Sequence, residues 1–279
     1  MDEKIKEGVS SFLDILGFKE EPFGMFYTDH EPSKGFSPKP GILPSIEDET
    51  KGQVDWGALW GNFSCVVGNV WRARRMKQAA FFDRERFGCL GGAFYLGFLK
   101  PQLNFITYYV SSGIPNQVEG EHYLESSEIT RQFFTSIDPR PAPARYCVFK
   151  PISHFQEAEE PEVVIFFARG EILCGLNQLA TFVTNDFEAV YSPFGAGCSN
   201  MVTWPLRYQG QGKLKAVLGG WDPSDRKFFK PDELSFAVSL EMFQRMVRRW
   251  PESFLATKTW TTVRKKIDRS QRIWGEPKI

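Results

Sequence analysis

The side chains in this sequence best suited to do chemistry are its five cysteines: Cys65, Cys89, Cys147, Cys174 and Cys198. None forms a Cys-x-x-Cys pair, which removes the commonest zinc-ribbon and thioredoxin-like readings. Only His30, His122 and His154 are available as imidazoles, so a His-rich metal site or a Ser-His-Asp triad has few residues to draw on. Cys89 sits in Phe87-Gly88-Cys89-Leu90-Gly91-Gly92, and Cys198 ends Pro193-Phe194-Gly195-Ala196-Gly197-Cys198. Both runs read as glycine-rich turns that enter helices. A helix N-terminus favours an anion and should lower a thiol pKa. Cys147 falls in an apolar strand pattern and Cys174 on an apolar helix, so both are expected to be core thiols.

These thiols need elements to hold them. Ile5, Val9, Phe12, Leu13 and Leu16 repeat at helical spacing, and Gly17 suits a C-cap. Phe23 to Tyr27 reads as a strand after Pro22, and residues 30–52 as a long loop. A helix is expected from Phe63 to Met76. Arg72, Arg74, Arg75 and Lys77 at its end read as partners of the helix dipole rather than an anion site. Short strands are expected at Ala79 to Phe82 and over residues 103–110, the latter from its β-branched and aromatic types. Ser126 to Ile137 reads as a helix, and Pro139, Pro141 and Pro143 as a stiff connector. Further strands are expected at Tyr146 to Phe149, Val163 to Phe167, Ala189 to Ser192, Lys215 to Leu218 and Leu234 to Val238. Helices are expected at Glu171 to Val183, from Leu240, and over residues 258–269. Strands alternating with helices predict an α/β (or α+β) fold, a mixed sheet covered by helices. The expected organisation is one compact domain over residues 1–250 and a C-terminal helical tail over 251–279.

Composition bounds the partners. Lys plus Arg and Asp plus Glu both number 34, so the formal net charge is zero. No global field draws nucleic acid or an anionic membrane. The Arg248-Arg249-Trp250 and Arg264-Lys265-Lys266 clusters therefore read as solvated helix faces. Glu159-Glu160 reads as a solvated loop rather than a glycosidase pair. No apolar run approaches the roughly 20 residues of a membrane span. The charged start Met1-Asp2-Glu3-Lys4 lacks the apolar core of a signal peptide. A cytoplasmic protein with reduced thiols is expected. Aromatics are 15% of the chain, enough to fill a core first and then to line a pocket.

The order of these pieces resembles a known family. Cys65 precedes a helix; Cys89-Leu90-Gly91-Gly92-Ala93 and Leu96-Gly97 follow. Then come Glu162-Val163-Val164-Ile165, Ser192-Pro193-Phe194-Gly195-Ala196-Gly197-Cys198, Ala216-Val217-Leu218 and Glu233-Leu234-Ser235-Phe236. Together they are similar to the uncharacterised ArCR family, also called domain of unknown function 169, from about Phe12 to Val247. The tail from Trp250 has no counterpart. The resemblance implies no settled activity. It does imply that Cys65, Cys89 and Cys198 are the cysteines of the family motif.

Three readings follow. Three thiolates could hold an iron–sulfur cluster or a soft metal, with a non-Cys fourth ligand or an open iron. Cys198 alone could be a nucleophile exposed on a strand–turn–helix elbow. Or Gly91, Gly92, Gly195 and Gly197 could cradle a small molecule or anion in a binding module without catalysis. Against all three stands the tendency of free cysteine to be simply buried.

Overall fold

The computed structural model describes residues 3–41, 45–55, 64–99 and 105–274. Its centre is a seven-stranded sheet: β1 (Phe23–Thr28), β2 (Ala80–Phe82), β3 (Tyr146–Pro151), β4 (Val163–Arg169), β5 (Val190–Tyr191), β6 (Ala216–Gly219) and β7 (Glu233–Ser239). Their order is β2-β3-β1-β4-β7-β6-β5. Only β5 and β6 pair in parallel; the other pairs are antiparallel. This is the expected mixed α/β sheet.

Both faces are covered, and the sequence shows why. In β4, Val163, Ile165 and Phe167 enter one apolar core while Val164, Phe166 and Ala168 enter the other. A strand buried on both faces reads as a continuous apolar run, because successive side chains point to opposite faces. Helices α1 (Glu3–Leu16), α7 (Gly170–Thr184), α9 (Leu240–Arg249) and α10 (Lys258–Trp274) lie over the second core. The first core lies under α3 (Val66–Met76), α4 (Leu90–Tyr95), α5 (Phe105–Val110), α6 (Ser127–Ile137) and the segment Ser199–Trp204 leading into α8 (Trp204–Gly210). The candidate cysteines belong to this first face.

The C-terminal helix is tied to the N-terminal one. Trp260 of α10 is buried, and its Nε1 donates to the Ile15 carbonyl at 2.9 Å. Arg264 donates to the carbonyls of Asp14 and Ile15. Those carbonyls lie in the last turn of α1, where the helical ladder runs out; Asp14 also accepts from the Gly17 N–H at 3.0 Å. Gly17, with φ +74°, terminates α1 as expected.

Some expectations need correction. Residues 105–110 form α5, not a strand; residues 103 and 104 lie outside the described residues, as does Phe63, the expected start of α3. In α5, Phe105 and Tyr109 stack one turn apart with centroids at 5.9 Å, while Phe105 and Ile106 are buried. Packing overrides the strand preference of these residue types. The loop over 30–52 is interrupted by an isolated bridge from Phe36 to Ala80 and by α2 (Ile46–Thr50), which Ser45 caps; residues 42–44 lie outside the described residues. Cys174 is exposed rather than in the core. The inward stripe of α7 is Ile172, Leu176, Leu179 and Val183, and Cys174 falls off it. Among the described residues no helix is long and apolar enough to cross a membrane.

Candidate functional site

The three motif cysteines each stand at the start of a helical segment. Cys65 is the N-cap of α3 and Cys89 the N-cap of α4. Cys198 precedes a π-helical turn, Ser199–Thr203. Pro205, just beyond that turn, has no N–H to give the helical ladder, and a wider turn accommodates the loss. Thr203 Oγ1 donates to the Tyr95 carbonyl at 2.7 Å, which ties the π-turn to the end of α4. Cys65, Cys89 and Cys198 thereby line one cleft of about 750 Å³. Cys147 is buried in β3 and does not line it.

A carboxylate that sequence reasoning missed joins two of the motifs. Asp225, in the loop between β6 and β7, is 3% exposed. Its Oδ1 accepts from the Cys65 thiol at 3.0 Å, and its Oδ2 accepts from the Gly197 N–H at 2.8 Å. Burial, and then the charge of Asp222, push its pKa up to about 6. Across the cleft, burial lifts Glu121 to about 7, with Asp222 and Asp225 adding to the effect. Glu121 also accepts from the Tyr109 hydroxyl at 3.0 Å.

The thiols respond in the opposite sense to the expectation from their helix termini. Burial raises Cys65 strongly, and the Asp225 charge beside it raises it further. Burial raises Cys89 to about 11, although the Gly92 N–H donates to its sulfur at 3.3 Å. Cys198, 4% exposed, is raised well above its ordinary value by burial and then by the neighbouring Cys89 and Asp225. Desolvation and carboxylates outweigh the helix dipoles. These are protonated thiols at neutral pH, and Cys198 is not presented outward on an elbow. Neither His122 nor His154 lines the cleft as a base.

The glycines divide into two kinds. Gly91 and Gly195 line the cleft; Gly92 and Gly197 do not, and their N–H groups already donate to Cys89 and Asp225. A phosphate cradle would need those donors free, so the anion reading loses its best groups. Gly195 has φ +140°, which a side chain rarely adopts. At Gly197 a Cβ would fall 2.7 Å from Asp225 Oδ2. At Gly92 a Cβ would meet the Phe87 carbonyl at 2.5 Å and Val66 at 2.6 Å, whereas at Gly91 the nearest atom is 3.6 Å away. Gly92→Ala is therefore expected to cost about 1–3 kcal/mol by overpacking, and Gly91→Ala to change stability by less than about 1 kcal/mol. Thermal unfolding of the two variants checks this; equal effects would contradict the packing around α4.

The chain matches the family described as Uncharacterised ArCR, domain of unknown function 169, over residues 11–249. The chain belongs to this family. No curated protein and no solved structure matches it. The family match ends at the last residue of α9, so α10 and its seal on α1 lie beyond it. Among the described residues, no group of three or more His, Cys, Asp or Glu side chains forms a set that could hold a metal ion.

Asp222, Asp225, Glu121 and Tyr95 also line the cleft and were not singled out from sequence. The one available signal was the stretch Trp221-Asp222-Pro223-Ser224-Asp225 directly after the strand-ending Gly219-Gly220, a turn with two carboxylates.

Proposed function

We propose that this protein binds a small organic molecule in the cleft, with Cys65, Cys89 and Cys198 on its inner wall. The supporting observation is the combination of size and lining. About 750 Å³ suits a metabolite-sized ligand far better than a single ion. Its surface is mostly apolar, with rings from Tyr95, Phe105, Phe134 and Trp221, and its polar groups converge from separate segments. Neutral thiols there act as small polarisable contacts and weak hydrogen-bond donors.

The test uses a variant that fills the space. Ala196 lines the cleft and is half-buried, so Ala196→Trp should obstruct it. Small-molecule fragments that raise the melting temperature of the native protein should lose that effect in Ala196→Trp. In a Cys174→Ser background they should also slow alkylation of Cys89 at alkaline pH, the partly exposed cleft thiol whose pKa is raised least. Fragments indifferent to Ala196→Trp, and leaving Cys89 labelling unchanged, would overturn the reading.

A second reading keeps the three thiols as ligands to an iron–sulfur cluster. It is supported by their arrival in one cleft from three distant segments. Against it stand the raised thiol pKa values, since ligation would have to expel those protons. Anaerobic purification followed by colour, iron and sulfide analysis decides between the two, with Cys198→Ser as the control.

A further inference from the structure

The charge of the cleft narrows its ligand. Glu121, Asp222 and Asp225 line it, and the one cation among the described lining residues is Lys227. Lys227 Nζ sits 5.2 Å over the ring of Phe228. Three carboxylates against one ammonium leave an excess of negative charge in a space walled by aromatic rings.

Two side chains that line the same cleft are mostly buried, yet each leaves a polar atom without a protein partner among the described residues. Tyr95 is 6% exposed, and its hydroxyl has no hydrogen-bond partner among the described residues although the charges of Asp222 and Glu121 act on it. Its ring packs against Gly91, 3.6 Å from that residue's Cβ position. Asn200, 2% exposed, spends its Nδ2 on the Pro193 carbonyl at 3.1 Å, while its Oδ1 accepts from no described residue. A polar atom that opens only to a cleft takes its hydrogen bonds from water or from a ligand there. Asn200 Oδ1 and the carboxylates are acceptors, and a phenol oxygen can accept as well. What would satisfy this set is a ligand rich in N–H donors.

Resting on the small-molecule reading above, we infer that the ligand is an organic cation: an amine, amidine or guanidine attached to an apolar or aromatic body. The cationic end meets Asp222, Asp225 and Glu121, and its N–H groups reach Asn200 Oδ1 and the Tyr95 hydroxyl. The body lies among Phe105, Phe134 and Trp221. Trp221 is 58% exposed and Phe194 is 44% exposed; as lining residues they form the rim. Ring faces attract a cation in addition to the carboxylates. A carboxylate- or phosphate-bearing ligand would meet three like charges.

The experiment compares probes that share one body: phenethylamine, phenethyl alcohol and 3-phenylpropionate, titrated against the full chain by calorimetry at pH 8. The amine should bind at least tenfold more tightly than the alcohol, and the propionate should bind most weakly. Asp222→Asn should reduce the preference for amine over alcohol. Tyr95→Phe should weaken the primary amine more than its trimethylammonium analogue, which has no N–H to share. Both variants should retain the native circular dichroism. Alcohol or propionate binding as tightly as the amine, still blocked by Ala196→Trp, would overturn the cationic inference and leave the cleft reading standing. Failure of all three probes to bind would count against both.

Discussion

At pH 8, Asp225→Asn is expected to stabilise the protein by about 2 kcal/mol, even though Asp225 bridges two of the family motifs. Its carboxyl is buried, and its pKa rises from an ordinary 3.8 to about 6, through burial first and Asp222 second. The folded state therefore holds this proton more tightly than the unfolded chain does. Stability falls as pH rises from about 4 to about 6 and stays at the lower level above that window. The gap between the two pKa values is worth roughly 3 kcal/mol. Asparagine removes the charge but keeps one acceptor, so the Gly197 N–H or the Cys65 thiol loses a partner and returns part of the gain. Near pH 4 the carboxyl is mostly neutral in the folded state and the benefit should largely vanish. Denaturant midpoints at pH 4 and pH 8 measure both. A substitution equally costly at the two pH values would mean that Asp225 is not held against its own charge. Groups that destabilise the native state in this way concentrate where function requires them.

The largest loss is expected at Arg74. Its guanidinium reaches both oxygens of Glu233, at 2.9 and 3.0 Å, and Glu20 at 2.7 Å. It also lies 3.8 Å over the ring of Phe167. Glu233 is 2% exposed at the start of β7. Arg74→Met leaves that carboxylate buried beside Lys230, whose Nζ is 3.8 Å away and whose backbone N–H donates to Oε2 at 3.4 Å. A loss of about 3–5 kcal/mol is expected, as for other buried pairs broken from one side. Arg74→Met with Glu233→Gln should recover a large part, because the stranded charge is gone. A single variant within about 1 kcal/mol of the native protein would show that Lys230 and solvent neutralise Glu233 unaided.

Most of the fold was legible because its strands are buried on both faces. Val163 to Phe167 could hardly be anything but an interior strand or a buried helix, and its shortness favoured the strand. The α1 stripe and Gly17 gave the first helix and its end. Residues 105–110 were misread because the same aromatic types stack one turn apart on a helix as readily as they pair across strands. The candidate site was half legible. Cys89 and Cys198 stood out by their glycine-rich turns, and Cys65 by the family resemblance alone. Asp225 did not, since its bonds to Cys65 and Gly197 cross 160 and 28 residues of chain. Tyr95 was hidden in a run of apolar residues, where a missing partner for its hydroxyl leaves no mark. The thiol chemistry was misjudged because a helix terminus is visible in sequence and a desolvated pocket is not.

The seal between α10 and α1 has a consequence in time. The ribosome delivers α1 long before Trp260, which lies 245 positions further along the chain than the carbonyl its indole meets. Until Trp260 and Arg264 have been made, the end of α1 stays open to water or to a chaperone. Once α10 has formed, it closes on a helix made far earlier. A nascent chain stalled before residue 258 should be markedly easier to digest at α1 than one that extends past residue 274, so that α1 is secured only after the rest of the sheet and its helices have been made.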